Sequence, residues 1–454
     1  MKEKLIRITQ ATDEVLTILK HFCNSNESIR GIRYCLDVPV QEGHLLWNLL
    51  TREMVLVTGD KPNVTVNEYL KKHWFLVPTS SNEKEYVDLI GWVGGNKKKK
   101  NNTTTSYTIF TTTDCNARCF YCFELGRSRV PMSKETAEKT AGYIKSNCGG
   151  ENVSLKWFGG EPLYNREAIE TICRMLKEEN MEFSSSTVSN GYLFDKETVE
   201  TAVREWNLKR VQITLDGTEE TYNKVKAFIY KGVNPYLTVM ENIGHLLDAG
   251  VKVQIRLNMD LYNTEDLMKL VEELAERFKG RKGIHVYAHH IFKGNEAMAD
   301  SHTEEEWEKR TQAMIRLEDK IRECGMESKA GISKHIKLNH CMADSGRSVT
   351  ILPDGHIGLC EHFSEDEFIG HIDQEGFDEA VVKSWKEHSP ELPECAECVL
   401  YPECIQLKKC PNGGKCFPAL REERIRKIKR QMLNEYERWK ANQNQDETEE
   451  DELC

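Results

Sequence analysis

The chain is 454 residues long, enough for roughly two to four domains and for more than one buried core. With 39% hydrophobic and 30% charged residues, a mean hydropathy of −0.58 and no apolar run near the roughly 20 residues of a membrane span, an integral membrane or fibrous chain is excluded. Acidic residues outnumber basic ones 73 to 62, a net charge of −11, so neither nucleic acid nor a membrane is an expected partner.

The opening residues, MKEKLIRITQATDEVLTILKHF, lack the apolar core and small-residue cleavage site of a secretory signal, which predicts a cytoplasmic protein. Residues 1–95 read as a unit of their own. The runs IRYCLDVPV, HLLWNLL and EMVLVTG are broken by the turn formers QEG and GDKPN and followed by VNEYLKKHWFL, a hairpin-and-helix pattern compatible with a winged-helix-like module. Residues 96–106, with their lysine block and NNTTTS, read as a linker. From 107 to 300, short β-type runs (YTIFTTT, VSLKWFG, STVSN, RVQITL, VKVQIRLN, IHVYAHH) alternate with helical ones such as SKETAEKTAGYIKSN, REAIETICRMLKEE, KETVETAVREW and TEDLMKLVEELAERF. Six β-α repeats predict an α/β fold with a parallel sheet, which gathers ligands at the C-terminal ends of its strands. Chemistry-bearing residues stand at those ends: cysteines after the first strand, GGEP after the second, SNG after the third and DG after the fourth.

A charged helical bridge, 301–335, leads into a loop-rich region, 336–420, in which SVTILPDGHIGLC reads as a hairpin turning at Pro353-Asp354-Gly355. Residues 421–454 close the chain. Their helix places Ile425, Ile428, Met432, Tyr436 and Trp439 on one face, to pack on the body, and the tail NQNQDETEEDELC is expected to be disordered.

Sixteen cysteines are too many for core packing alone, and a reducing compartment disfavours a disulfide framework. Three of them, Cys115, Cys119 and Cys122, fall within TTDCNARCFYCFEL; seven more lie between Cys341 and Cys416. Cys23, Cys35, Cys148, Cys173, Cys324 and Cys454 have no ligand-like spacing and read as isolated thiols. A short loop aims several thiolates at one centre only when they are a few residues apart. Three thiolates leave one iron of a 4Fe-4S cube open to a small molecule; the rival, structural zinc, takes four ligands, and no nearby histidine completes the set.

Cys115-Asn-Ala-Arg-Cys119-Phe-Tyr-Cys122 resembles the CxxxCxΦC signature of the radical SAM superfamily, with Tyr121 in the aromatic place. Further segments carry the same resemblance. Gly159-Gly160-Glu161-Pro162 is similar to the GGEP motif that holds the SAM amino group, and Ser189-Asn190-Gly191 to the segment near its ribose and carboxylate. Thr214-Leu215-Asp216-Gly217 resembles the SxDG strand end, and Arg256 and Asn258 match a polar pair near the SAM carboxylate and ribose. For Asp216, Arg256 and Asn258 a strand-end cap or a salt bridge is the competing reading. The resemblance covers about 107 to 290 and implies a partial (β/α)6 barrel, related to the TIM barrel, that cleaves SAM to a 5′-deoxyadenosyl radical.

The second cysteine region resembles the SPASM domain. Cys341, Gly355 and Cys360 fit its opening CX9-15GX4C, Cys395, Cys398 and Cys404 fit CX2CX5C, and Cys410 and Cys416 follow as its last two cysteines. Two departures stand out: five residues separate Cys404 from Cys410 where three are common, and the neighbour of Cys341 is His340 rather than a nearby further cysteine. The resemblance assigns Cys395, Cys398, Cys404 and Cys416 to an outer auxiliary 4Fe-4S cluster, and Cys341, Cys360 and Cys410 to an inner one with an open iron. That makes three clusters with the SAM-binding one. Glu361, directly after Cys360, stands where some peptide-oxidising relatives carry a base; an uninvolved surface carboxylate is the alternative.

SPASM proteins mostly modify peptides, so the resemblance implies a ribosomal precursor peptide as substrate, gripped through its leader by the N-terminal module, and a one-electron donor such as flavodoxin or ferredoxin. A thioether formed from a peptide cysteine is the expected product, because an open inner iron would accept a substrate thiolate. Carbon-carbon cross-linking and formylglycine formation in a sulfatase are the alternatives.

Overall fold

The computed structural model describes residues 4–11, 13–20, 28–59, 64–98, 103–122, 124–126, 128–291, 303–333, 341–362, 367–388, 391–404, 407–410 and 416–451. Cys23, His340 and Cys454 lie outside the described residues. The N-terminal elements are β1 (Lys4–Arg7), α1 (Asp13–Leu19), β2 (Ile29–Gly31), β3 (Cys35–Val40), β4 (Gly43–Asn48), β5 (Met54–Thr58), α2 (Val64–Lys72), β6 (Leu76–Pro78) and α3 (Glu83–Lys98). Four of the strands form an antiparallel sheet in the order β1-β5-β4-β3, with β2 and β6 paired apart from it. Central β5 has a core on each face: Met54 and Leu56 pack into one, and Val55 and Val57 face a second with Val66, Leu70 and Phe75 around α2. Period-two alternation also explains β3, where Leu36 and Val38 are buried while Asp37 and Pro39 are exposed. Helix α3 runs through Gly94 and Gly95 to Lys98, so the first three residues of the expected 96–106 linker are helical.

The middle of the chain alternates as expected: β7 (Ser106–Thr112), α4 (Lys134–Asn147), β8 (Val153–Gly159), α5 (Arg166–Glu178), β9 (Phe183–Ser189), α6 (Lys196–Glu205), β10 (Leu208–Leu215), α7 (Glu219–Lys226), α8 (Pro235–Asp248), β11 (Lys252–Met259), α9 (Thr264–Arg277), β12 (Ile284–His290) and α10 (Glu304–Glu323). All neighbouring strands from β7 to β12 pair in parallel, giving the partial barrel. Helix starts follow local chemistry, since the side chains of Ser133, Asp195 and Asn234 accept from backbone N–H groups in the first turns of α4, α6 and α8. Helix α8, with Pro235 in its first turn, carries a start signal absent from the sequence-based expectations.

Three strands continue the same sheet beyond β7: β13 (Ser348–Ile351), β14 (His356–Gly358) and β15 (Gly370–His371). The expected hairpin at Pro353-Asp354-Gly355 forms, and β13 pairs in parallel with β7. The auxiliary hairpin thus covers what would be an open edge of the barrel sheet. The last helices are α11 (Glu379–Trp385) and α12 (Pro418–Asp451). In α12, Met432 and Tyr436 are buried in the N-terminal core with Leu400 and Tyr401, and Ile425, Ile428 and Trp439 pack beside them. The expected disordered tail is corrected as far as Asp451. The Glu and Gln of the tail are good helix formers, and adding turns to an existing helix avoids the cost of nucleation.

Candidate functional site

Strand β7 hands the chain to the loop of Cys115, Cys119 and Cys122, all partly buried free thiols. The loop is tied down locally. Asp114 Oδ1 accepts from Cys115 N at 2.8 Å, Cys119 O accepts from Cys122 N at 3.2 Å, and the Arg118 guanidinium donates to Cys115 O. Burial pushes all three thiols up, Cys115 to about 12, and repulsion from neighbouring thiols adds to it at Cys115 and Cys122. Such thiols give up their protons readily only to a centre that brings positive charge, so this donor set fits a metal cluster.

The end of β8 lies against this loop because two glycines leave room. A Cβ on Gly159, whose φ is +121°, would sit 2.0 Å from Thr112 O, and one on Gly160 would sit 2.3 Å from Asp114 O. With neither present, Gly160 N donates to Thr112 O at 3.0 Å and Glu161 N to Asp114 O at 2.9 Å, while Pro162 O accepts from Thr111 Oγ1 at 2.8 Å. Glu161 is fully buried. Its carboxylate accepts from Ser189 Oγ at 2.9 Å, Asn190 N at 2.8 Å and Leu163 N at 3.3 Å, all neutral donors, and burial raises its carboxyl to about 7. A ligand ammonium would supply the missing positive charge, which is what the resemblance to GGEP implies. Asn190 completes the corner by donating to Asn116 Oδ1 at 2.6 Å, 3.8 Å from Cys115 Sγ.

A second corner gathers Tyr121, Asp216 and Asn258. The Tyr121 hydroxyl donates to Asp216 at 2.8 Å, and Asn258 Nδ2 reaches Tyr121 Oη and Asp216 Oδ1, each at 3.0 Å. Arg256 stands two residues before Asn258. Its Nε donates to Asn258 Oδ1 at 2.9 Å and its Nη2 meets His289 Nδ1 at 3.1 Å. Burial, with Arg256 alongside, holds His289 down at about 3 and hence neutral.

Two residues here have no counterpart among the sequence-based candidates. Lys226, 3% exposed in its side chain, pairs with Asp216 at 3.0 Å, and only its fold position separates it from an ordinary helix-end lysine. His289 stands two residues after Tyr287 in β12, on the same face, and period-two alternation is the available signal.

Cys341, Cys360 and Cys410 repel one another and all pack beside the barrel core, and burial raises Cys360 to about 12. Cys404 and Cys416 are likewise raised, first by burial and then in part by Cys395 and Cys398. Among the described residues, no group of three or more His, Cys, Asp or Glu closes on a single metal ion. Glu361 pairs with Lys156 of β8 at 3.0 Å, and that ammonium also lies over the Phe158 ring at 4.8 Å. Cys395 and Cys398 pack on the core of the N-terminal module. Among the described residues, no helix is long and apolar enough to cross a membrane.

Residues 109–274 match the family described as the Radical SAM superfamily. A GTP 3′,8-cyclase of Rhodopirellula baltica is 32% identical over 159 residues, 34% of this chain and 41% of that protein. The radical SAM cyclopropyl synthase TigE of Paramaledivibacter caminithermalis is 25% identical over 216 residues, 41% of this chain and 45% of that protein. The chain thus spans under half the length of these two relatives. Among solved structures, anSMEcpe with bound AdoMet and the Cp18Cys peptide aligns over 75% of this chain and 99% of its own, with a TM-score of 0.53 at 17% identity. SuiB of Streptococcus suis bound to precursor peptide SuiA aligns over 83% and 94%, with a TM-score of 0.51 at 14% identity. At these identities the likeness to both structures is one of fold.

Proposed function

The chain carries a radical SAM domain, and from that premise we propose that it modifies a ribosomal precursor peptide by joining a peptide cysteine sulfur to carbon. When bound, a reduced 4Fe-4S cluster with SAM supplies methionine and a 5′-deoxyadenosyl radical able to abstract a substrate hydrogen. Cys115, Cys119 and Cys122 would hold that cluster. Glu161 would receive the SAM ammonium, with the backbone of Gly159, Gly160 and Pro162 beside it; Ser189, Asn190, Arg256 and Asn258 would receive its ribose and carboxylate, and Asp216 keeps Tyr121 at the cluster loop. In this reading Cys341, Cys360 and Cys410 hold an inner auxiliary cluster and Cys395, Cys398, Cys404 and Cys416 an outer one, and a flavodoxin or ferredoxin donates the electron.

One observation carries the choice of a thioether. The inner group has three cysteines, one ligand short of a filled cube, and the carboxylate beside it is drawn to the barrel through Lys156. Forming the bond removes two hydrogens from the peptide, one ending in 5′-deoxyadenosine and one leaving as a proton, with SAM consumed as the oxidant. In this reading Glu361 accepts the proton. The N-terminal sheet offers strand β3, paired on one side only among the described residues, as an edge to which a leader could add.

The test is anaerobic reconstitution, with iron, 5′-deoxyadenosine and the mass of a co-expressed cysteine-containing peptide as readouts. About 12 irons per chain and a peptide lighter by two hydrogens, with one alkylatable thiol fewer, is the expected result. Loss of two hydrogens with every thiol retained would establish a carbon-carbon product, to which the cyclopropyl synthase likeness points; an aldehyde would establish formylglycine. Replacing Cys341, Cys360 or Cys410 by Ala should abolish cross-linking while partly sparing SAM cleavage.

A further inference from the structure

Lys226 ends α7, and both its backbone and its side chain engage the first cysteine loop. Its carbonyl accepts from Arg118 N at 2.8 Å, and Ile229 N donates to Asn116 O at 3.0 Å, a return made through Ala227 in the left-handed region at φ 46°. The ammonium, removed from water, lies 2.7 Å from Thr214 Oγ1, 3.1 Å from Tyr121 Oη and 3.0 Å from Asp216, with the rings of Tyr121 and Tyr222 at 5.7 and 5.9 Å. Lys224, two residues earlier, is exposed to solvent, so the inward turn belongs to this one side chain. Burial alone would lower Lys226; Asp216 first, then Tyr121 and Cys119, override it and keep the charge in place. At Cys119 the attraction of the ammonium outweighs the repulsion from Asp216, and the same cation is felt at Cys122 and Glu161.

We propose that Lys226 is a positioning residue of the radical SAM site, its buried charge raising the reduction potential of the cluster carried by Cys115, Cys119 and Cys122. The proposal rests on the radical SAM reading of this loop. Reduction adds negative charge to a cluster, and a fixed cation in a water-poor site favours the reduced form. Asp216 offsets the cation only in part, so removing Lys226 shifts the potential in the negative direction, and removing both charges shifts it less.

The test is an EPR-monitored redox titration of the full chain with the auxiliary cysteines intact, run on wild type, Lys226→Met, Lys226→Arg and the double variant Asp216→Asn/Lys226→Met. Lys226→Met should bind the wild-type amount of iron with a more negative midpoint for the SAM-binding cluster, so that at a fixed poise near the wild-type midpoint the reduced fraction falls about threefold or more. Lys226→Arg should return most of it. If Lys226→Met loses iron because Asp216 is left unpaired, the double variant carries the measurement. A wild-type midpoint in either iron-loaded Met variant would overturn the proposal, as would loss of iron from both, which would make Lys226 purely structural. A wild-type chain that takes up no iron at Cys115, Cys119 and Cys122 would overturn the radical SAM reading and the proposal with it, whereas an unshifted midpoint overturns the proposal alone.

Discussion

Arg52 and Glu403, 351 residues apart, form an ion pair between the N-terminal sheet and the loop of the outer cysteines. The Arg52 side chain is 1% exposed, donates to Ser333 O at 3.0 Å and Leu49 O at 3.2 Å, and stacks over Trp47 at 4.6 Å. Around it Tyr34 stacks on Tyr401 with centroids 6.3 Å apart, and Arg33 reaches Glu397 at 3.3 Å. Module and outer loop are therefore one packed body, with Glu403 directly before the ligand candidate Cys404. Breaking the pair leaves Glu403 without its partner and the carbonyls of Leu49 and Ser333 without that donor. Arg52→Met should cost about 3 kcal/mol in urea unfolding and raise hydrogen exchange in β3 to β5. Exchange unchanged from wild type would show that the apolar contacts alone hold the module.

His289 makes stability depend on acid in a defined window. Its ordinary value of 6.5 falls to about 3 in the folded chain, chiefly by burial and then by Arg256. Below 6.5 the unfolded chain takes up a proton that the folded chain refuses. The contribution is therefore intact above 6.5 and lost as pH falls toward 3, by about 1.4 kcal/mol per pH unit for one proton. Glu423, held at about 2 by His290 and Lys427 against its burial, loses its own contribution only below its ordinary 4.5. Between 6.5 and 4.5 the His289 proton acts without that of Glu423, while Glu161, raised to about 7, acts there with the opposite sign; His289→Gln should therefore lower the slope of the urea-unfolding free energy with pH there by up to about 1.4 kcal/mol per pH unit relative to wild type. A slope equal to wild type would mean that His289 is protonated in the native state.

How much of the molecule is legible in the sequence depends on how local each signal is. The cysteine loop, GGEP, SNG and the six strands can be read because loop spacing and period-two runs are local. Lys226 cannot, because nothing near KVKAF marks one lysine as turned inward; its partners Thr214 and Asp216 arrive through β10 and Tyr121 through the loop after β7. The pairing of β13 with β7 is hidden for the same reason, since Ser348 and Ser106 meet only once the sheet forms. The acidic tail misleads because composition reports what a segment does alone, whereas this one extends a helix already buried in the N-terminal core through Met432 and Tyr436.

Gly160 tests whether the cysteine loop depends on the approach of β8. A methyl group there would lie 2.3 Å from Asp114 O and 2.9 Å from Thr113 O, both backbone atoms that cannot rotate away. Gly160→Ala must part the strand end from the loop, break the bond from Glu161 N to Asp114 O, and cost at least about 2 kcal/mol. Reconstituted protein should lose about 4 irons per chain and its 5′-deoxyadenosine production, with the auxiliary iron retained. Full iron content would mean that the loop forms independently of β8.

Lys156 and Glu361 offer the sharpest separation of radical formation from the later bond-forming chemistry. Lys156 belongs to the barrel and Glu361 to the chain beside Cys360, with side chains 32% and 20% exposed, so the pair is partly screened and adds little to stability. In the proposed thioether reading its weight falls on chemistry. Glu361→Gln keeps the shape and removes the proposed proton acceptor; Lys156→Met keeps the carboxylate but releases it. Both variants should still make 5′-deoxyadenosine, because neither touches the first cysteine loop or Glu161, and both should form cross-linked peptide at least about tenfold more slowly. If the two residues act as one unit, the double variant should be no slower than Glu361→Gln, a non-additivity that independent contributions would not give. Multiplying effects would instead assign Lys156 a contact with the peptide in its own right, and wild-type cross-linking in Glu361→Gln would remove Glu361 from the mechanism.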